Sequence, residues 1–397
     1  MALQASIISL IFVLFIFFAS VTAVQHNLKI FDVRTYGAAG DSQKDNTQAF
    51  LLAWKDACGF AGKATVYVPV GIYMLGQMAF VGPCKGRPIV HLQGVLRAPS
   101  WFGPSDSWIT FRYINKLVVK GGKTGTLDGQ GQFAWKNNDC HSNSNCSPLP
   151  ATLRFEFVTN SRVHDIRSIN SKNSHIVIFG CKNVNMTNIR LTAPQDSPNT
   201  DGIKIGSSTN IKIVKSVIGT GDDCVAILAG SRDILISKLF CGPGHGISVG
   251  SLGGFPNEKN VAGLIVKNCT ISNANNGVRI KTWESPHHSI ASGFTFEDIF
   301  MNNVQNPIII DQLYCPHPPC NDQYPSHVQI KDVLYKNIWG TSITEVAVSL
   351  KCSSAFPCKN IVMKDINLAH QGSGAAKSLC SHVDVLSFGK QSPPPCL

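Results

Sequence analysis

Charged side chains are scarce in this chain. They make up 15% of its 397 residues, while 44% are hydrophobic. So little charge excludes a disordered polyelectrolyte, and that much apolar side chain supplies a large core. Helix-periodic segments are nearly absent too. Asp45 to Cys58 is the only clear one, with Asp45 or Asn46 as cap, Ala49, Phe50, Ala53, Trp54 and Ala57 on one face, and Gly59 ending it. None of the 14 cysteines stands in a CxxC pair, which argues against zinc. Beyond the first 23 residues no segment is long and apolar enough to span a bilayer.

Residues 1–23 stand apart. Ile7 to Phe18 is almost wholly apolar yet too short to span, and Val21-Thr22-Ala23 is a small-residue cleavage pattern. The stretch is read as a signal peptide despite an n-region without Lys or Arg. A soluble, secreted chain then starts near Val24. Secretion makes disulfides the expected state of the cysteines, with Cys224/Cys241, Cys352/Cys358 and Cys380/Cys396 as local staples. Cys315-Pro-His-Pro-Pro-Cys320 reads as a stiffened disulfide turn before a metal loop. Asn145, Asn185 and Asn268 begin glycosylation sequons.

The charge that is present is unbalanced: 35 Lys and Arg against 24 Asp and Glu give +11. A secreted basic chain fits an acidic polysaccharide partner better than nucleic acid. After the helix come short β-branched runs broken by Gly, Asn, Asp and Ser. Taking Val163, Val184, Ile211, Ile234 and Val261 as equivalent gives steps of 21, 27, 23 and 27 residues. Strands at that period predict an all-β, single-domain parallel β-helix over 24–397, its N-terminal end covered by the helix at 46–58. The variable step counts against a sandwich or propeller.

Four polar motifs interrupt the coils: Asn199-Thr-Asp201, Gly221-Asp-Asp223, Gly244-His-Gly246 and Arg279-Ile-Lys281. Asn199 and Asp201 share a face if extended, as do Arg279 and Lys281. Gly219 and Gly221 allow a bend that aims both Asp222 and Asp223 outward. Asp201 to Asp222 is 21 residues, Asp223 to His245 is 22, and His245 to Arg279 is 34. Each step is near one coil, so coils roughly 4.8 Å apart would gather these groups into one patch. Clustered carboxylates suit glycosidic cleavage, where one acid protonates the leaving oxygen and another carboxylate activates water. Arg279 and Lys281 suit a substrate carboxylate. An acidic calcium turn at Asp222-Asp223 is the plainer alternative, and Gly246-Ile-Ser-Val-Gly250 is a chance match to a nucleophile elbow, because Ile247 and Val249 read as strand core.

In their order and spacing these motifs resemble plant polygalacturonases of glycoside hydrolase family 28, most like pollen-type exopolygalacturonases, over nearly all of the mature chain. Phe31-Asp-Val, Tyr36-Gly-Ala, Val66-Tyr-Val-Pro, Leu127-Asp-Gly-Gln-Gly131 and Tyr314 support the match. The resemblance implies a right-handed parallel β-helix of the pectin-lyase-like kind. It implies inverting hydrolysis of α-1,4-galacturonan with no metal or other cofactor. Asp222 would be the general acid, and Asp201 and Asp223 would position and deprotonate water. His245 would tune Asp222, Arg279 and Lys281 would hold the galacturonate carboxylate, and Asn199 and Tyr314 would contact sugar. Inversion further predicts a gap of roughly 6.5–9.5 Å between Asp222 and the Asp201/Asp223 pair. A calcium-dependent pectate lyase and a non-catalytic wall-binding protein are the competing functions on such a solenoid. A monomer working in the cell wall, away from nucleic acid and membrane, completes the expectation.

Overall fold

The computed structural model describes residues 28–100, 105–138, 146–316, 318, 320 and 323–396. The signal-peptide stretch 1–23 and Asn145 lie outside the described residues. The rest is a right-handed parallel β-helix in one domain. One sheet has 11 strands, each hydrogen-bonded to the strand one coil away, from Met78–Val81 at the N-terminal end to Lys377–Ser381 at the other. The remaining strands form the facing wall.

Alternation decides what each side chain does. Lys63–Val68 and Arg87–Leu92 bury every second residue, as a strand with one wet face must. Register then turns those inward residues into columns. Val184, Ile211, Ile234, Leu264, Phe294, Val333 and Ile361 stack coil upon coil, all buried. Each such side chain stabilises the fold by about 1.5–3 kcal/mol relative to exposure. In the 11-stranded sheet Ile176, Ile203, Val225, Ile247, Val278 and Ile308 form the matching inner column.

This register corrects the outer members of the sequence repeat. Val184, Ile211 and Ile234 are equivalent as read, but Val184 pairs with Ser161 rather than Val163, and Ile234 with Leu264 rather than Val261. The steps are therefore 23, 27, 23 and 30 residues. A two-residue slip keeps the same face, so alternation could not distinguish Ser161 from Val163. Between Val261 and Leu264 sits Gly263 at φ +71°, a left-handed residue that resets the alternation. Asn and Asp hold equivalent left-handed positions elsewhere, and their side chains form ladders. Asn210 donates to Asn183, and Asn183 to Asn160, at 2.9 and 2.8 Å.

The helix spans Thr47–Gly59 and covers the N-terminal end as expected. Of the two candidate caps, Asp45 acts: its carboxylate accepts from Thr47 N at 2.9 Å, while Asn46 makes no side-chain capping bond. Phe50 and Trp54 pack against Tyr73, Phe80 and Phe111, and Cys58–Cys84 ties the helix end to the first coils. A second helix, Gly131–Lys136, has only six residues, too few to show a period in the sequence. Disulfides link Cys224–Cys241, Cys315–Cys320, Cys352–Cys358 and Cys380–Cys396, the local staples anticipated. Cys181 and Cys269 are free buried thiols, so the expectation of wholesale pairing fails for these two, which serve as small core side chains. Asn185 and Asn268 are exposed on the outer wall.

Candidate active site

The 11-stranded sheet carries an outward column that the inner column fixes by parity. Lys204, Ala226, Ser248 and Arg279 are register partners on four successive strands, Ile203–Gly206, Val225–Ile227, Ile247–Leu252 and Asn276–Thr282. Lys281 follows two residues after Arg279, with Ile280 between them fully buried. The Arg-Ile-Lys pair thus faces outward as read. The turns entering these strands add Asp201, Asp222, Asp223 and His245. These four, with Lys204, Ala226, Arg279, Lys281, Asn199 and Tyr314, line one groove of about 1000 Å³.

Inside it the charges are paired in a fixed pattern. Asp223, 1% exposed, accepts from Arg279 Nη2 at 2.9 Å and Lys281 Nζ at 3.0 Å. Ser248 Oγ donates to the same carboxylate at 2.6 Å and accepts from Arg279 Nε at 3.0 Å. Asp201, 3% exposed, accepts from Lys204 Nζ at 2.8 Å. Asp222 is partly open and bonds His245 Nδ1 at 3.0 Å. Tyr314 lies over both cations, 5.1 Å from Lys281 Nζ and 5.9 Å from the Arg279 guanidinium carbon.

These surroundings drive the carboxylates apart. Burial pushes the Asp201 carboxyl up to about 7, against the pull of Lys204 and with the charges of Asp222 and Asp223 behind it. Burial would raise Asp222 too, but the His245 hydrogen bond and the charges of His245, Lys281 and Lys204 outweigh it and hold Asp222 at about 2. The Asp222 bond raises His245 in turn. Burial disfavours the Lys204 charge, yet Asp201 holds that ammonium above the ordinary lysine range. Near neutrality Asp201 is thus poised between its two forms while Asp222 is ionised, an inequality of the kind acid-base hydrolysis uses.

Local backbone departs from the sequence reading at two places. Asn199 is in the left-handed region, φ +53°, so Asn199 and Asp201 reach the groove from a turn and not from an extended segment. Gly219 and Gly221 are needed for close approach and not for a left-handed bend. A Cβ on Gly221 would lie 2.0 Å from Ser197 O, and one on Gly219 2.7 Å from Gly242 O. His245 does sit between left-handed glycines, Gly244 at +141° and Gly246 at +81°. Ile247 to Gly250 of the Gly246-Ile-Ser-Val-Gly250 match lie in strand, so it is no nucleophile elbow. Its Ser248 nonetheless belongs to the site. Lys204 was missed as well: a lysine three residues past Asp201 reads as a solvated strand residue until register places it in the Arg279 column.

Donor atoms of Asp222, Asp223 and His245 lie within 4.8 Å of one another, a spacing that could suit a cation and that is shorter than the roughly 6.5–9.5 Å gap expected between Asp222 and Asp223, so that expectation fails for this pair. Both Asp223 oxygens are already occupied, and a metal there would face the fixed charges of Arg279 and Lys281, each within 3.0 Å of its ligand. The arrangement fits an incoming carboxylate better.

Clustered acids beside fixed cations in an open groove define a glycosidase for an acidic polymer. A family model for glycosyl hydrolases family 28 matches residues 58–389, and the chain belongs to that family. An exopolygalacturonase of Platanus acerifolia is 46% identical over 375 residues, covering 93% of this chain and 98% of that protein. A polygalacturonase of Gossypium barbadense is 42% identical over 401 residues, covering 100% and 97%. In structure the chain resembles the endo-xylogalacturonan hydrolase from Aspergillus tubingensis, with TM-score 0.80 and 25% identity over 92% of this chain and all of the other. The exopolygalacturonase from Thermotoga maritima, at 19% identity, shares the fold with TM-score 0.73 over 91% and 92%.

Proposed function

We propose that the chain is a polygalacturonase that hydrolyses α-1,4-galacturonosyl linkages of pectin with inversion, releasing galacturonate from a chain end. The observation that carries this reading is the Asp223–Arg279–Lys281 constellation, an acid and two cations positioned to exchange their mutual pairing for a uronate carboxylate. Asp222 protonates the glycosidic oxygen as the C1–O bond breaks. Water, positioned by Asp201 and Asp223, attacks C1 from the opposite face and gives its proton to one of that pair. His245 tunes Asp222, and Asn199 and Tyr314 contact sugar. The family and the two plant relatives support the substrate class; the excess of 11 positive charges supports an acidic polymer. Residues 1–23 direct secretion to the cell wall, where the mature chain acts as a soluble monomer. No helix among the described residues is long and apolar enough to cross a membrane.

One feature favours a second division of labour: burial favours the protonated form of Asp201, while the His245 hydrogen bond and nearby cations favour ionised Asp222. Leaving-group dependence separates the two. On an aryl galacturonide with a good leaving group, a variant lacking the acid keeps much of its rate, whereas a variant lacking the base does not. Asp222→Asn is expected to be the tolerant variant; if Asp201→Asn is tolerant instead, the roles exchange. Product profiling from the first minutes on polygalacturonate tests the exo mode. Monogalacturonate is expected, and a spread of oligomers would make the enzyme endo-acting. Unsaturated, calcium-dependent product would make it a lyase.

A further inference from the structure

A second cavity, of about 520 Å³, lies among the turns that leave the same strands. Gly254, Phe255, Trp283, Pro286, His287 and Tyr324 line it, together with Glu284 and Ser285. One ring pair separates it from the groove: Trp283 belongs to the cavity, Tyr314 to the groove, and they meet edge to face with centroids 5.0 Å apart. Tyr314 in turn covers Arg279 and Lys281. The cavity therefore adjoins the place where the galacturonate carboxylate is held.

Its walls are built and not accidental. Glu258 accepts from Gly253 N and Gly254 N at 2.7 and 3.0 Å, and His327 N bonds Ser285 O at 3.1 Å. Even so, Phe255 is 73% exposed and Tyr324 48% exposed. Apolar rings left in water beside an active site mark a binding surface. The chemistry of the lining differs sharply from the groove. The groove presents Lys172, Lys204, Arg279 and Lys281. Among the described residues the cavity lining includes no lysine or arginine, and its only carboxylate side chain is Glu284. A free uronate has no cation to meet there and one acid to avoid. An uncharged pyranose presents C–H faces to aromatic rings and hydroxyls to the His287 ring and the Glu284 carboxylate.

We infer that this cavity is a subsite for an uncharged sugar of the same polymer, next to the galacturonate bound by Arg279 and Lys281. Two sources share that chemistry: a methyl-esterified galacturonosyl residue of the backbone, or a neutral side-chain sugar. This inference rests on the polygalacturonase reading.

Full-length mature enzyme and the variants Phe255→Ala and Tyr324→Ala are assayed on polygalacturonate, on the same polymer partly methyl-esterified, and on the same polymer bearing xylosyl branches. Both side chains are exposed and outside the catalytic set, so the rate on plain polygalacturonate is expected to stay unchanged. On the substrate whose uncharged unit fills the cavity, kcat/KM is expected to fall about fivefold per ring removed, and the other modified polymer identifies the source by staying at the wild-type rate. Equal rates for variants and wild type on all three polymers, or an equal loss on all three, would overturn the inference. Wild-type enzyme inactive on polygalacturonate would instead overturn the parent reading.

Discussion

Replacing Asp201 by asparagine should remove the activity and shift the stability gap to wild type in the variant's favour as pH rises toward neutrality. The buried carboxyl is held at about 7, against an ordinary value of 3.8. The native state therefore binds this proton more tightly than the unfolded chain does. Stability from this group is fully present below about pH 4 and is lost as pH rises through 7, because the native state holds more protons throughout that window. A difference of about three pKa units corresponds to about 4 kcal/mol, an upper bound for the whole effect. The amide of the variant cannot titrate. Lys204 loses Asp201 as its partner but keeps the favourable charges of Asp222 and Asp223, so its ammonium contributes a separate offset to the comparison. The stability gap between Asp201→Asn and wild type should thus widen in the variant's favour by up to about 4 kcal/mol between pH 4 and pH 8. Urea unfolding followed by tryptophan fluorescence, repeated at each pH, measures it. A gap that stays constant from pH 4 to pH 8 would refute the claim that Asp201 is the buried, protonated member of the cluster.

Lys204→Met removes the charge that favours ionised Asp201. It should cut kcat/KM on polygalacturonate about 100-fold at pH 5 and move the acidic limb of the pH profile upward, since a hydrogen bond to a charged group is worth about 1.5–3 kcal/mol. Lys204→Arg should recover most of the rate, and an unchanged profile for Lys204→Met would remove Lys204 from the machinery. Arg279→Lys keeps the charge but cannot bond both Asp223 and Ser248 as Nη2 and Nε do. A loss of about 30- to 200-fold in kcat/KM is expected, mostly in KM, by the roughly 2–3 kcal/mol that a charge-assisted hydrogen bond contributes. A kcat-dominated loss would argue that Arg279 acts on the reaction and not on substrate carboxylate binding.

The solenoid was legible because its two signals, alternation and return of the pattern every twenty-odd residues, are written in the core side chains themselves. The exact step was less so. Alternation is blind to a slip of two, which is why Val163 stood in for Ser161, and a left-handed glycine such as Gly263 resets parity without changing composition. The acids and the Arg279/Lys281 pair were legible because their coil spacing stacks them whatever the details of the turns. Lys204 and Ser248 were not. Each becomes meaningful only when strand register puts it in the column of Arg279, and sequence fixes facing within a strand but not register between coils. The cavity behind Trp283 was invisible for a related reason. Its lining comes from turns whose lengths vary from coil to coil, so no period announces it.

Register also explains why such a site can exist in a folded protein. A parallel β-helix brings equivalent positions roughly 4.8 Å apart, so any polar motif repeated at coil spacing is forced into contact. Three ionised carboxylates at that spacing would repel strongly in a partly buried groove. The chain relieves the repulsion in three different ways. Asp223 pairs with two cations, Asp222 bonds a histidine, and burial favours the protonated form of Asp201 against the pull of Lys204. Three unequal environments make three chemically unlike groups out of one residue type. Hydrolysis needs that inequality: a donor, an acceptor and a group that exchanges its partner for the substrate. On the proposed assignment, the arrangement that makes the cluster tolerable to the fold is also the one that would carry the chemistry, and replacing any of the cations is expected to disturb both together.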